Sequence, residues 1–194
     1  MNRLFLLVLF FLIAKAGFAQ QKDTLISNLP MVNGRLVYAD SIKIESHNRS
    51  TLDSAAKSWF AGYFKYHQPD TLSKDKDINS TILSQGLLEF RIATSSLALI
   101  KYNFYLIITI KVDCKDNYYT YKIFDIYFRP KSDFFYKVGY YQSSPDYLIG
   151  LYSKKHLGLV AGMNLGRKKI REYLKCTNDA VLACIASLNK AMAN

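Results

Sequence analysis

The densest chemistry in this sequence is a run of cations: Arg167, Lys168, Lys169 and Arg171, with Lys154, Lys155 and His156 a short way upstream. If a helix begins near Asn164, the four later cations sit at the positive end of its macrodipole, where positive charge is disfavoured and a bound anion relieves the conflict. Two readings stand: an anion-binding cluster at Arg167, Lys168, Lys169 and Arg171, or a solvated basic face.

The other candidate constellations fail on their own chemistry. Asp75-Lys76-Asp77-Ile78-Asn79 opens with calcium-loop spacing, but the pattern needs Gly where Ser80 stands and a bidentate acid where Gly86 stands. It reads as a solvated turn before a strand. His47, His67 and His156 have no second His or acid at metal-ligand spacing, so no metal is expected. Gly158-x-x-x-Gly162-x-x-x-Gly166 runs into Arg167-Lys168-Lys169 without the Lys-Ser/Thr a phosphate loop requires, and no Gly-x-Ser-x-Gly elbow occurs. The glycines read as turns or tight approaches, and no cofactor is expected.

Three cysteines, Cys114, Cys176 and Cys184, leave at least one thiol unpaired within the chain. On one continuous helix Cys176 and Cys184 would lie about 12 Å apart along the axis, too far to bridge. Pairing of Cys114 with either, or three small buried thiols, both remain open.

The compartment follows from the first nineteen residues. Arg3 gives a basic start, Leu4 to Ile13 an unbroken apolar core, and Gly17-Phe18-Ala19 the small residues a signal peptidase needs. A cleaved signal peptide over 1–19 is expected, with the mature chain beginning at Gln20 and exported to the periplasm or beyond. No Cys follows the cleavage site to carry a lipid, and the apolar core is too short to remain as a spanning helix. Arg3 and Lys15 are the signal's only charges, so the mature balance is 24 basic against 15 acidic residues, or +9. For an exported chain this favours anionic envelope lipid, polysaccharide or protein as partner, and no nucleic acid.

The elements that must position these groups read as an α+β layer fold. Residues 36–44 place Leu36, Tyr38, Ile42 and Ile44 on one side of a strand, with Asp40 breaking the series. A helix follows, capped by Ser50 with Asp53 three residues on, its stripe running Leu52, Ala55, Ala56, Trp59, Phe60, Tyr63 and Phe64. Ile78 to Ile92 is one or two strands around Gly86. Tyr102, Phe104, Leu106, Ile108, Ile110 and Val112 share a strand face. The chain returns over Tyr118 to Arg129, with Phe124, Ile126 and Phe128 on one face, and Pro130 ends an antiparallel hairpin. Residues 131–166 have no sustained period, with Ser143-Ser144-Pro145-Asp146 as a turn. A helix from about Asn178 carries Val181, Ile185, Leu188 and Met192.

The run Leu29-Pro30-x-x-Asn33-Gly34-x-x-Val37-Tyr38, the helix carrying Ala56-Lys57-x-Trp59-Phe60-Ala61 and the strand Ile82-x-x-x-Gly86 resemble the secreted domain-of-unknown-function family 4468, over roughly residues 29 to 129. The resemblance implies a TBP-like fold, a curved antiparallel sheet with helices on one face, in a bacterial envelope. It implies no activity. The organisation expected is then a signal peptide over 1–19, the TBP-like α+β domain over 20–130, and over 131–194 an irregular aromatic- and Gly-rich segment with a C-terminal helix on the same domain. The function expected is an exported, non-enzymatic binding or scaffolding module of the envelope. The alternative is an envelope hydrolase or other enzyme whose site, one of the His residues with a Ser or Asp, assembles only in the fold.

Overall fold

The computed structural model of the chain describes residues 24–64, 81–93, 101–130, 144–153 and 166–194. In chain order its elements are α1 (Thr24–Ser27), β1 (Met31–Val32), β2 (Arg35–Leu36), β3 (Tyr38–Lys43), α2 (Arg49–Tyr63), β4 (Thr81–Ala93), β5 (Lys101–Lys115), β6 (Tyr118–Pro130), α3 (Pro145–Ser153) and α4 (Arg167–Met192). Strands β3-β6-β5-β4 form one antiparallel sheet in that order, and β1 and β2 form a separate two-stranded hairpin. With helices against one face of an open sheet, the architecture is the expected α+β.

Strict alternation builds the core face. Leu106, Ile108, Ile110, Val112 and Cys114 of β5 are buried, and Tyr119, Tyr121 and Ile123 of β6 join them. The register then slips: Ile107 faces Tyr127 while Thr109 faces Phe124, so β6 carries one extra residue, a β-bulge. Asp125 takes the kink at φ 49°. Beyond it the buried positions are Ile126 and Phe128, and Phe124 stays half-exposed. The expected face of Phe124, Ile126 and Phe128 is therefore wrong at its first member, because the bulge changes the parity.

Helix α2 is capped two residues before the expected Ser50. Asn48 is the cap, its Oδ1 accepting from the Thr51 amide at 2.9 Å and the Thr51 hydroxyl at 3.0 Å. Asp116, in the β5–β6 turn, accepts the Arg49 amide at 2.8 Å and so takes another N-terminal donor. Asp53 pairs instead with Lys57 one turn on, at 2.6 Å. Leu52, Ala56, Trp59 and Phe60 are buried as the stripe implied. Trp59 stacks on Tyr63, with ring centroids 5.1 Å apart, and its indole N–H donates to Ser187 at 3.0 Å.

Strand β4 is one uninterrupted strand through Gly86, not two. The ring of Phe64, 2 % exposed at the end of α2, lies over that residue: a Cβ there would meet ring carbons at 2.2, 2.5 and 2.6 Å. Only glycine leaves room.

Helix α4 begins at Arg167, not near Asn178. Ile170, Tyr173, Leu174 and Thr177 extend the buried stripe upstream, and Thr177 keeps its hydroxyl satisfied inside the helix by donating to the Tyr173 carbonyl at 2.9 Å. Its 26 residues span about 39 Å. Tyr38 donates to Asn178 at 2.9 Å and Tyr119 to Asn189 at 2.6 Å, while Phe128 meets Tyr173 edge-on at 5.6 Å. These contacts lay α4 along the sheet with its basic start at the bulged end of β6.

Candidate functional site

The basic start of α4 has an unusual first turn. Gly166 holds the N-cap position with extended backbone and no side-chain cap bond, and no acidic residue follows in the first turn. Arg167, Lys168 and Lys169 are the first three helical residues and Arg171 is the fifth, so all four expected site residues do share one helix end. Arg167, Lys168 and Arg171 are exposed and Lys169 is half-buried. Lys169 pairs with Glu172 at 3.3 Å, and the Arg167 guanidinium lies 5.6 Å from the Tyr152 ring centre on α3.

Helix α3 occupies part of the stretch expected to be irregular, and its first residues are those expected to form a turn. Ser144 accepts the Tyr147 amide on its hydroxyl at 3.2 Å, and Pro145 stands at the first helical position, where its missing N–H costs nothing. Asp146 then reaches across 110 residues of sequence to accept the Leu36 amide at 2.7 Å. That bond fixes the β1–β2 hairpin against α3.

The hairpin turns on Asn33 and Gly34, at φ 51° and 76°, the left-handed pair a two-residue loop demands. Met31 and Val32 precede the turn and are 37 % and 53 % exposed, and Arg35 after it approaches Asp125 of the bulge at 3.7 Å. Tyr147 on α3 is half-exposed, as is Tyr127 just past the bulge. Sequence reasoning missed this hairpin. Asn-Gly between two apolar-containing pairs was the signal that could have found it.

The remaining candidates fall elsewhere. His47 sits between β3 and α2, its ring Nδ1 3.0 Å from the Glu45 carbonyl. His67, His156, Lys154, Lys155, the stretch 75–79, Gly158, Gly162 and the signal peptide lie outside the described residues. Among the described residues, no three His, Cys, Asp or Glu side chains are grouped to hold a metal ion, and no helix is long and apolar enough to cross a membrane.

None of the three cysteines forms a disulfide. Burial pushes the Cys114 thiol up to about 11, with the Asp53 and Asp113 carboxylates adding to it. Burial likewise pushes Cys184 up to about 12, partly offset by its hydrogen bond with Tyr63. Asp113 differs: burial raises it, but bonds from Lys111 and Thr81 outweigh that and leave the carboxyl below its usual range. Tyr38 and Tyr119 are raised by burial.

Comparison with known proteins fits this architecture. The family model described as "Domain of unknown function (DUF4468) with TBP-like fold" matches residues 38–129, from β3 to the end of β6. Over that segment the chain is similar to the DUF4468 domain family. A crystal structure of a TBP-like protein from Parabacteroides distasonis superposes with a TM-score of 0.60 at 19 % identity, covering 86 % of this chain and 97 % of that one. A DUF4468 family protein from Bacteroides ovatus gives 0.59 at 16 % identity, covering 86 % and 91 %. At these identities the likeness is one of fold. No curated protein matches the chain. The hairpin tip, α3 and the basic turn of α4 all lie outside the matched segment, which supplies the sheet and α2.

Proposed function

We propose that this protein is an exported, non-enzymatic binding or scaffolding module of the bacterial cell envelope, and that the first turn of α4 engages an anionic envelope component. The observation that carries the reading is the helix start itself. Three consecutive cations and a fourth two residues on occupy the end of a 26-residue helix, with neither an acid in the first turn nor a side-chain cap. Each cation so placed costs about 0.3–1 kcal/mol at an exposed helix end. Glu172 relieves one of them. An anion accepting from the first amides and facing Arg167, Lys168 and Arg171 turns the same arrangement from a cost into a gain.

Export is supported by Arg3, the apolar run Leu4 to Ile13 and Gly17-Phe18-Ala19. The non-enzymatic reading is supported by thiols held far from reactivity: at about 11 and 12, Cys114 and Cys184 are protonated at neutral pH and closed to solvent. The test is co-sedimentation of the mature protein, starting at Gln20, with purified envelope polysaccharide and with phosphatidylglycerol vesicles, at low and high salt. Salt-sensitive binding to either, weakened by Arg167→Glu, Lys168→Glu, Lys169→Glu and Arg171→Glu together, supports the reading. Equal sedimentation of the wild type and the four-fold variant at low salt sinks it. N-terminal sequencing of the native protein checks export, and an intact Met1 in the cytoplasmic fraction refutes it.

A further inference from the structure

Building on that anion-binding reading, we propose that the anion is the headgroup layer of an anionic phospholipid bilayer, and that Met31 and Val32, the strand leading into the Asn33-Gly34 tip of the β1–β2 hairpin, enter the apolar layer beneath it. Five large hydrophobic side chains are exposed among the described residues: Met31, Val32, Tyr127, Tyr147 and Leu182. Three of them, Met31, Val32 and Tyr147, sit on elements bonded to one another, while Tyr127, between buried Ile126 and Phe128, faces the side of the sheet away from α4. Val32 faces Arg35 in the hairpin register, and Arg35 meets Asp125, two residues from Tyr127, at 3.7 Å. Leu36 is held by Asp146, the neighbour of Tyr147. Tyr152, on the same helix as Tyr147, carries Arg167 over its ring at 5.6 Å.

The combination selects among anionic partners. An acidic polysaccharide offers charge but no apolar interior for Met31 and Val32. A bilayer offers both in one surface: headgroups that attract Lys and Arg, a boundary layer where tyrosine rings settle with their hydroxyls in water, and acyl chains below. The side chains match those layers in type. Met31 and Val32 are apolar, Tyr147 amphipathic, and Arg35, Arg167, Lys168 and Arg171 charged. The contact is peripheral and reversible, since a two-residue strand buries far less than a spanning helix.

The hairpin is a safe place to test this, because Met31 and Val32 are exposed and the Asn33-Gly34 turn is left intact. The mature wild type is expected to co-sediment with phosphatidylglycerol vesicles at low salt and to leave them at high salt or when the vesicles are phosphatidylcholine alone. Met31→Ser with Val32→Ser should weaken that binding about tenfold without changing the thermal melt. The four-fold Glu variant of the α4 turn should lose it by at least about a hundredfold, from about fivefold per cation. Val32→Trp adds a reporter to a chain whose single native tryptophan is the buried Trp59: its emission should shift to the blue on phosphatidylglycerol vesicles and stay unchanged on polysaccharide. If the charge variant abolishes vesicle binding while the hairpin variants change neither affinity nor emission, insertion is overturned and the broader anion reading survives. Binding to polysaccharide but not to vesicles overturns the bilayer in the same way. Binding to neither overturns both.

Discussion

Gly86→Ala isolates the tightest contact in the protein. A methyl at Gly86 would stand 2.2 Å from Phe64 Cε1, 2.5 Å from Cδ1 and 2.6 Å from Cζ, whereas carbon atoms rest at about 3.5–4.0 Å. The ring would have to retreat by more than about 1 Å. It has nowhere to go: Trp59, Phe60 and Tyr63 hold it at centroid distances of 5.5, 6.1 and 5.0 Å. Overpacking a closed core costs about 1–3 kcal/mol, and the lack of any retreat places this site at the upper end. Opposing it, alanine in a strand is favoured over glycine by about 0.5–1 kcal/mol. The net expectation is a loss of about 2 kcal/mol, read as a lower urea midpoint at unchanged slope. Phe64→Ala alone should cost about 3–5 kcal/mol, but in that background Gly86→Ala should cost nothing or stabilise, because the clash is gone. A coupling energy near zero in this double-mutant cycle, or a Gly86→Ala variant as stable as the wild type, refutes the argument.

Asn48→Ala should destabilise by about 1 kcal/mol through loss of the α2 cap, while Ser50→Ala should stay within about 0.5 kcal/mol, both measured by chemical denaturation. The raised thiols predict an alkaline instability: the folded state favours protonated Cys114 and Cys184, so their contribution is intact below the ordinary thiol value of 9.0 and is lost as pH rises toward about 11 and about 12. Each thiol adds at most about 1.4 kcal/mol per pH unit in that window. Tm scans from neutral to alkaline pH should show the decline, and Cys114→Ala with Cys184→Ala should reduce it most between pH 9.0 and 10.0, below the ordinary tyrosine value from which buried Tyr38 and Tyr119 add their own loss.

The fold was legible wherever burial imposes a period. The face of β5 from Leu106 to Val112 and the α2 stripe through Trp59 both read directly from spacing, because each element buries a single side against the other. What escaped was set by local exceptions to period. One inserted residue at Asp125 changed the parity of β6, and no alternation pattern reveals an insertion from within one strand. Asn48 displaced Ser50 as the α2 cap because Asp116, far along the chain, takes the Arg49 amide and fixes the helix to start there. Thr177 and Asn178 look like a helix start, yet Thr177 folds its hydroxyl back onto the preceding turn and the helix runs through.

The candidate site divides along the same line. Arg167, Lys168, Lys169 and Arg171 stood out because charge clustering is a one-dimensional signal, whereas a helix start near Asn164 entered only as a condition, since cations there run against the dipole. Met31 and Val32 gave no such signal, since strands of two residues are too short to alternate, and only the Asn33-Gly34 turn hinted at a hairpin. Their place on the fold depends on bonds between distant residues: Asp146 to Leu36 across 110 positions, and Arg35 to Asp125 at the bulge. The irregularity that defeated the strand reading is therefore the feature that builds this end of the protein. A perfectly regular β6 would turn Ile126 and Phe128 away from the core and Asp125 and Tyr127 into it, so the one inserted residue serves the core and this end of the protein together.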